Sequence, residues 1–200
     1  MIQNPAEAAS IAQAIPFSSY RELSRTLGYT IPALALLWYL ILEKKSLPYA
    51  EDRIKPGLKD IYPLLIGFPC LVLIGLSISF LMAKFSPFPI PPKVEGPANA
   101  LGWTAMAFSC LGTGYLEESY FRYYLLAKLE EAVSLRWVRV FVSVAFFALC
   151  HVYEGPWGIL NALLAGTLLA VLYERYRSLH GIALAHGAYN AFVYCMGSFF

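Results

Sequence analysis

Residues 61–83 read IYPLLIGFPCLVLIGLSISFLMA, 23 positions without a charged side chain. A helix needs about 20 predominantly apolar residues to cross the hydrocarbon core of a bilayer. This run is long enough, and it is not alone. Gly96–Leu116 (21 residues), Gly155–Tyr173 (19) and Ser178–Phe200 (23) are equally free of Asp, Glu, Lys and Arg. Shorter runs of 17 and 14 residues lie at Thr26–Leu42 and Val140–Tyr153, the second containing His151.

Composition agrees. Hydrophobic residues make up 58% of the 200-residue chain, charged residues 14%, and mean hydropathy is +0.57. A soluble domain carries about 25% charged residues. This chain has too few to cover a water-facing surface, and disordered, collagenous and basic nucleic-acid-binding classes are excluded with the soluble one. The expected fold class is all-α: a polytopic bundle of about six transmembrane helices, at roughly 24–43, 61–83, 99–127, 137–153, 157–175 and 181–199.

The placement of the basic residues tests that count. With the N-terminus outside, inside segments hold 11 of the 15 Lys and Arg residues and outside segments hold 4. That is the positive-inside bias, and it puts both termini outside. The first 20 residues lack a basic region and a long apolar core, so they do not read as a cleaved signal peptide. Residues 6–15 suggest a short helix ended by Pro16, and the Pro-rich stretch 84–98 a stiff loop. Cys70, Cys110, Cys150 and Cys195 each fall in an apolar run without CxxC spacing. They read as buried hydrophobes with no disulfide.

Ionisable groups inside a bilayer are costly and mark function. Three clusters stand out. In Glu117-Glu118-Ser119-Tyr120-Phe121-Arg122, Glu118 and Arg122 are at i and i+4, one above the other on a helix. Glu117 is rotated by about 100° and faces elsewhere. One carboxylate is therefore neutralised by the arginine and the other is left for chemistry. The plainer reading puts all three at an interfacial helix end. The second cluster ends the fourth apolar run at Phe147-Ala148-Leu149-Cys150-His151. The third, His186-Gly187-Ala188-Tyr189-Asn190, stacks a histidine and an asparagine on one face of an apolar helix. Asn190 also suits helix–helix hydrogen bonding. His180 is assigned to the loop before the last helix, without a role.

Together, these groups suit the activation of a water inside a membrane. They equally suit a zinc ion with an open position, held by Glu117, His151 and His186. Spacing alone does not choose between the two. A proton- or cation-relaying transporter and a non-catalytic membrane scaffold or immunity protein are the rival functions.

The order Glu-Glu-x-x-x-Arg, Phe-x-x-x-His and His-x-x-x-Asn, on separate apolar helices, resembles the CPBP family of intramembrane proteases. This is the CAAX-protease and bacteriocin-processing family, also called Abi. The matching positions are Glu117, Glu118, Arg122, Phe147, His151, His186 and Asn190, and Arg177-Ser178-Leu179 resembles the family's approach to its last motif. The resemblance covers about residues 100–195. It implies a division into N-terminal helices and loops (1–95) and an intramembrane protease core (96–200). Glu117 is then the residue that activates water, with His151 close to it. Arg122 holds Glu118, and His186 and Asn190 stabilise the oxyanion. The family is described both as metal-dependent and as glutamate-type, which leaves a divalent metal open as cofactor. The implied partners are membrane lipid and a CAAX-type prenylated or leader-bearing peptide or protein in the membrane, with no nucleic acid. The implied location is a prokaryotic cell membrane, spanned several times.

Helix depths pose a test. At 1.5 Å per residue from the expected inner helix ends, Glu117 lies about 15 Å in, His151 about 20 Å and His186 about 8 Å. Groups that meet should agree in depth.

Overall fold

The computed structural model describes residues 15–42, 56–87 and 95–199. The expected short helix at 6–15 lies outside the described residues except at Ile15, and much of the expected 84–98 loop does too. Among the described residues seven helices follow in order: α1 (Ser19–Leu42), α2 (Ile61–Phe85), α3 (Ala100–Glu118), α4 (Leu126–Ala132), α5 (Arg136–Leu149), α6 (Gly155–Tyr176) and α7 (Leu179–Phe199). A π-turn over Ser119–Leu125 joins α3 to α4, and 3-10 turns at Leu58–Asp60 and Val152–Glu154 lead into α2 and α6. Among the described residues no strand forms; a single bridge has Glu95 N–H donating to Ile15 C=O at 2.9 Å. The all-α expectation holds.

Three helical segments are long and apolar enough to cross a membrane: Ser19–Leu42, Leu58–Phe85 and Val152–Tyr176. The remaining long helices, α3, α5 and α7, are the three that carry the candidate site, and their Glu, His and Asn residues or short length are what set them apart. With 14 residues, α5 is about 21 Å long, against a hydrocarbon core of about 30 Å.

Boundaries moved where polar residues sit in helices. The first helix starts at Ser19, not near residue 24, and so also takes in Arg21 and Glu22, because Ser18 Oγ accepts from Arg21 N–H at 3.2 Å in the manner of a helix cap. Lys84 belongs to α2, not to the loop after it. The expected helix at 99–127 continues through the π-turn to Ala132. The expected helix at 137–153 ends at Leu149, so His151 stands beyond it. His180 lies inside the first turn of α7 rather than in a loop, with Nδ1 3.0 Å from the Tyr115 hydroxyl.

Helix α1 packs on α3, α3 on α7, α7 on α2, α2 on α6 and α6 on α5. The core runs through Leu40, Leu71, Leu126, Leu169, Tyr173, Ile182 and Ala185, all buried. Outward-facing Leu27, Ile31, Leu34 and Trp38 on α1, Leu65, Leu73 and Phe80 on α2, and Phe141 on α5 are exposed. So much contiguous apolar surface suits contact with lipid. Cys110 is buried, as expected; Cys150 is exposed, because α5 ends one residue before it.

Two connections fix the last helix. Arg177 takes the left-handed conformation (φ 49°) that ends α6, and its N–H donates to Tyr173 C=O at 2.7 Å. Ser178 then opens α7. Its buried hydroxyl donates to Asp60 of the turn before α2 and accepts from Gly181 N–H at 3.0 Å. Acidic and basic side chains gather on this side: Glu174 pairs with Arg136 at 3.2 Å and Arg177 at 3.0 Å, and Glu130 with Arg139 at 3.7 Å.

Candidate active site

Glu117 and Glu118 end α3, and the two carboxylates have different surroundings. Glu118 is fully buried, with Oε2 3.2 Å from Arg122 Nε and Oε1 2.8 Å from His186 Nδ1. Arg122 is fully buried as well, so the interfacial reading does not hold for this pair. A buried charge needs a partner and hydrogen bonds. Beside Glu118, Arg122 has the carbonyl of Gly166, to which Nη2 donates at 3.1 Å, and the ring of Phe147, 4.3 Å below the guanidinium.

Glu117 keeps some exposure, 22% of its side chain, and its Oε2 lies 3.7 Å from His186 Nε2. His186 thus stands between the two carboxylates. A carboxylate accepts but does not donate, so the hydrogen on Nδ1 points to Glu118. Glu117 Oε2 itself is buried without a hydrogen-bond partner.

The meeting of α3 with α7 requires small residues. A Cβ on Gly114 would come within 2.7 Å of Ala183 O and 2.9 Å of Gly187 N, and one on Gly187 within 3.0 Å of Leu111 Cα. The backbones touch one turn from the Glu118–His186 bond.

His151 sits past the end of α5. Its Nδ1 donates to Phe147 C=O at 2.8 Å, which leaves Nε2 with its lone pair. Phe147 packs its ring 4.6 Å from that of His151 and 6.1 Å from that of His186. Glu117, His151, His186 and Asn190 line one cavity of about 260 Å³, together with Phe147, Asn161 and Tyr189. The three groups whose expected depths differ therefore line the same cavity.

A zinc ion would draw on the same side chains. The residue types suit it, since each histidine has Nδ1 held by an acceptor, as metal-binding histidines do. The arrangement does not: among the described residues no three His, Cys, Asp or Glu side chains gather as a ligand set. The Glu117–His151–His186 site expected for a metal is not assembled, and no step below runs through one.

Several contributors were not evident from spacing. The π-turn after Glu118 leaves carbonyls without their usual helical donors, and Ser143 of α5, fully buried, donates to Phe121 C=O at 2.9 Å. Gly166 lets Arg122 through: a Cβ there would lie 2.9 Å from Phe147 and 3.2 Å from Arg122 Nη2. Arg25 and Tyr29 of α1 also line the cavity. Arg25 falls within the expected helix at 24–43 but just before its charge-free run, and counts among the outside charges rather than as a site residue.

Residues 99–192 match the family described as type II CAAX prenyl endopeptidase Rce1-like. In this segment the chain is similar to the Rce1-like family. The match spans α3 to α7 and takes in all six residues singled out from the motifs: Glu117, Glu118, Arg122, His151, His186 and Asn190. Rce1-like proteins are membrane-embedded proteases, in accord with the CPBP resemblance. No curated protein and no solved structure matches the chain.

Proposed function

We propose that this protein is an intramembrane endopeptidase that hydrolyses a peptide bond near the C-terminus of a prenylated, CAAX-type substrate. One observation carries the reading. Two adjacent carboxylates have opposite environments, Glu118 sealed between Arg122 and His186 and Glu117 open to a polar cavity beside two histidines. Divergent environments for neighbouring carboxylates mark divergent roles.

In this mechanism Glu117 accepts a proton from a water held in the cavity near His151. The water oxygen attacks the peptide carbonyl carbon, and the carbonyl oxygen becomes an oxyanion. The Asn190 amide donates to it. An imidazole with hydrogen on both nitrogens also donates, through Nε2 of His186, while Nδ1 stays on Glu118. The carbon–nitrogen bond then breaks with its electron pair on nitrogen, which takes the proton from Glu117. The products are a new carboxylic acid and a free amine. Arg122 does not reach the substrate; it positions Glu118, and through it His186.

The decisive variant is Glu117→Gln, assayed in liposomes with a farnesylated CAAX peptide. A general base contributes about 10²–10⁴-fold to rate, so cleavage should fall by at least that lower bound while thermal unfolding stays as in the unaltered protein. Full cleavage by Glu117→Gln would overturn the mechanism.

A further inference from the structure

The cavity has a second polar end that hydrolysis does not use. Arg25 of α1 and Tyr194 of α7 line it, and behind them lies Glu22, fully buried. Arg25 Nη1 donates to the Tyr194 hydroxyl at 2.6 Å and lies 3.5 Å from Glu22 Oε1, and the Tyr194 hydroxyl donates to that same oxygen at 3.2 Å. Both Arg25 bonds leave from Nη1, and Tyr29 lies against the same guanidinium, its ring centroid 5.6 Å from Cζ. The Arg25 side chain remains 39% exposed. Among the described residues that line the cavity, Arg25 carries the one Lys or Arg charge, facing a wall that also holds Glu117 and Glu154. An anionic group entering the cavity is repelled at the Glu117 end and drawn to Arg25.

We propose that Arg25, braced by Glu22 and Tyr194, binds the C-terminal carboxylate of the substrate and thereby sets how far from the chain end the bond is cut. This rests on the hydrolytic reading above. Distance supports it twice. His186 and Tyr194 are eight residues apart on α7, and Glu117 and Ser109 are eight apart on α3, with all four lining the cavity. Eight residues of helix measure about 12 Å. An extended peptide covers at most about 3.3–3.6 Å per residue, so three residues reach about 10–11 Å. A guanidinium extending into the cavity closes the small difference. The spacing fits release of a tripeptide. A planar guanidinium is also the side chain best shaped to take a carboxylate.

The test compares a farnesylated peptide ending in Val-Ile-Met as free acid with the same peptide as C-terminal amide. The unaltered protein should prefer the acid by at least about tenfold in kcat/KM, the scale of a hydrogen bond to a charged group. In Arg25→Gln the acid-to-amide ratio should fall to near one, and Arg25→Lys should recover part of it. Because Arg25→Gln leaves the buried Glu22 with the longer contact to Arg21, 3.8 Å away, as its cation, the double variant Glu22→Gln/Arg25→Gln serves as the second arm, and its ratio should also be near one. A merely structural Arg25 would lower stability and leave the ratio alone. Equal cleavage of acid and amide by the unaltered protein, or a ratio that persists in both variants, overturns the proposal. Binding of the tripeptide Val-Ile-Met to Glu117→Gln protein separates this from the hydrolytic reading. Tighter binding of acid than amide, lost on adding Arg25→Gln, supports the carboxylate site even if no bond is ever cut, and equal binding sinks it even if cleavage occurs.

Discussion

The imidazole of His186 donates from Nδ1 to Glu118 Oε1 at 2.8 Å, and that bond ties α7 to α3 through two buried side chains. On its other oxygen, Glu118 meets Arg122 at 3.2 Å. The three residues form a chain in which only the last, His186, faces Glu117.

This chain separates stability from activity. Glu118→Gln leaves the Arg122 charge buried without its counter-ion, which costs about 3–5 kcal/mol. Replacing both partners by apolar residues of similar size, Glu118→Leu with Arg122→Met, should recover most of that loss in thermal unfolding. Cleavage should remain down by about 10²-fold or more, because His186 has lost the group that orients it. A double variant that cuts at the original rate would show that the chain serves folding alone.

Gly166 offers a finer probe of the same device. An added methyl meets the Phe147 ring at 2.9 Å and Arg122 Nη2 at 3.2 Å. Overpacking a filled interior costs about 1–3 kcal/mol. Phe147 also touches both site histidines, so Gly166→Ala should lower cleavage as well as melting temperature. Unchanged kinetics at a lowered melting temperature would uncouple Phe147 from the site.

Much of this was legible in the sequence because membranes simplify the code. Long charge-free runs reveal helices, and a carboxylate or imidazole within them has few reasons to be there other than chemistry. The pairing of Glu118 with Arg122 followed from a spacing of four. What spacing did not show was which elements meet. The family resemblance assigned His186 to the oxyanion and His151 to Glu117; it did not reveal that His186 also stands against both carboxylates, because the Gly114–Gly187 contact draws α7 onto α3. The π-turn was hidden too, since Ser119–Leu125 has ordinary helix composition and its freed carbonyl finds Ser143 only in the fold. Arg25 was counted as a loop charge because helix ends in polar sequence carry little periodic signal.

Ser178 tests a part of the motif region that lies outside the cavity. Its hydroxyl links Asp60 to the first turn of α7 and is fully buried. Ser178→Ala removes a helix cap and a partner of a buried carboxylate, a loss of about 1–2 kcal/mol. Peptide cleavage per folded molecule should be unchanged. A collapse of kcat at full stability would instead place this connection in the reaction.

Glycine substitutions on two neighbouring helices should have opposite signs. Gly28 of α1 has nothing within 4 Å of an added Cβ, so Gly28→Ala should raise stability by about 0.5–1 kcal/mol, through the entropy that glycine loses on folding. At Gly114 the obstacles are backbone atoms, Ala183 O and Gly187 N, which have no rotamer by which to move aside. Gly114→Ala must therefore push α7 away from α3. The Glu118–His186 bond, one turn further along, should be lost with that shift. Melting in detergent should fall, and cleavage should fall further than in any variant of equal stability outside the α3–α7 contact. If Gly114→Ala kept both, the close approach of these two helices would not be what brings His186 to its carboxylates.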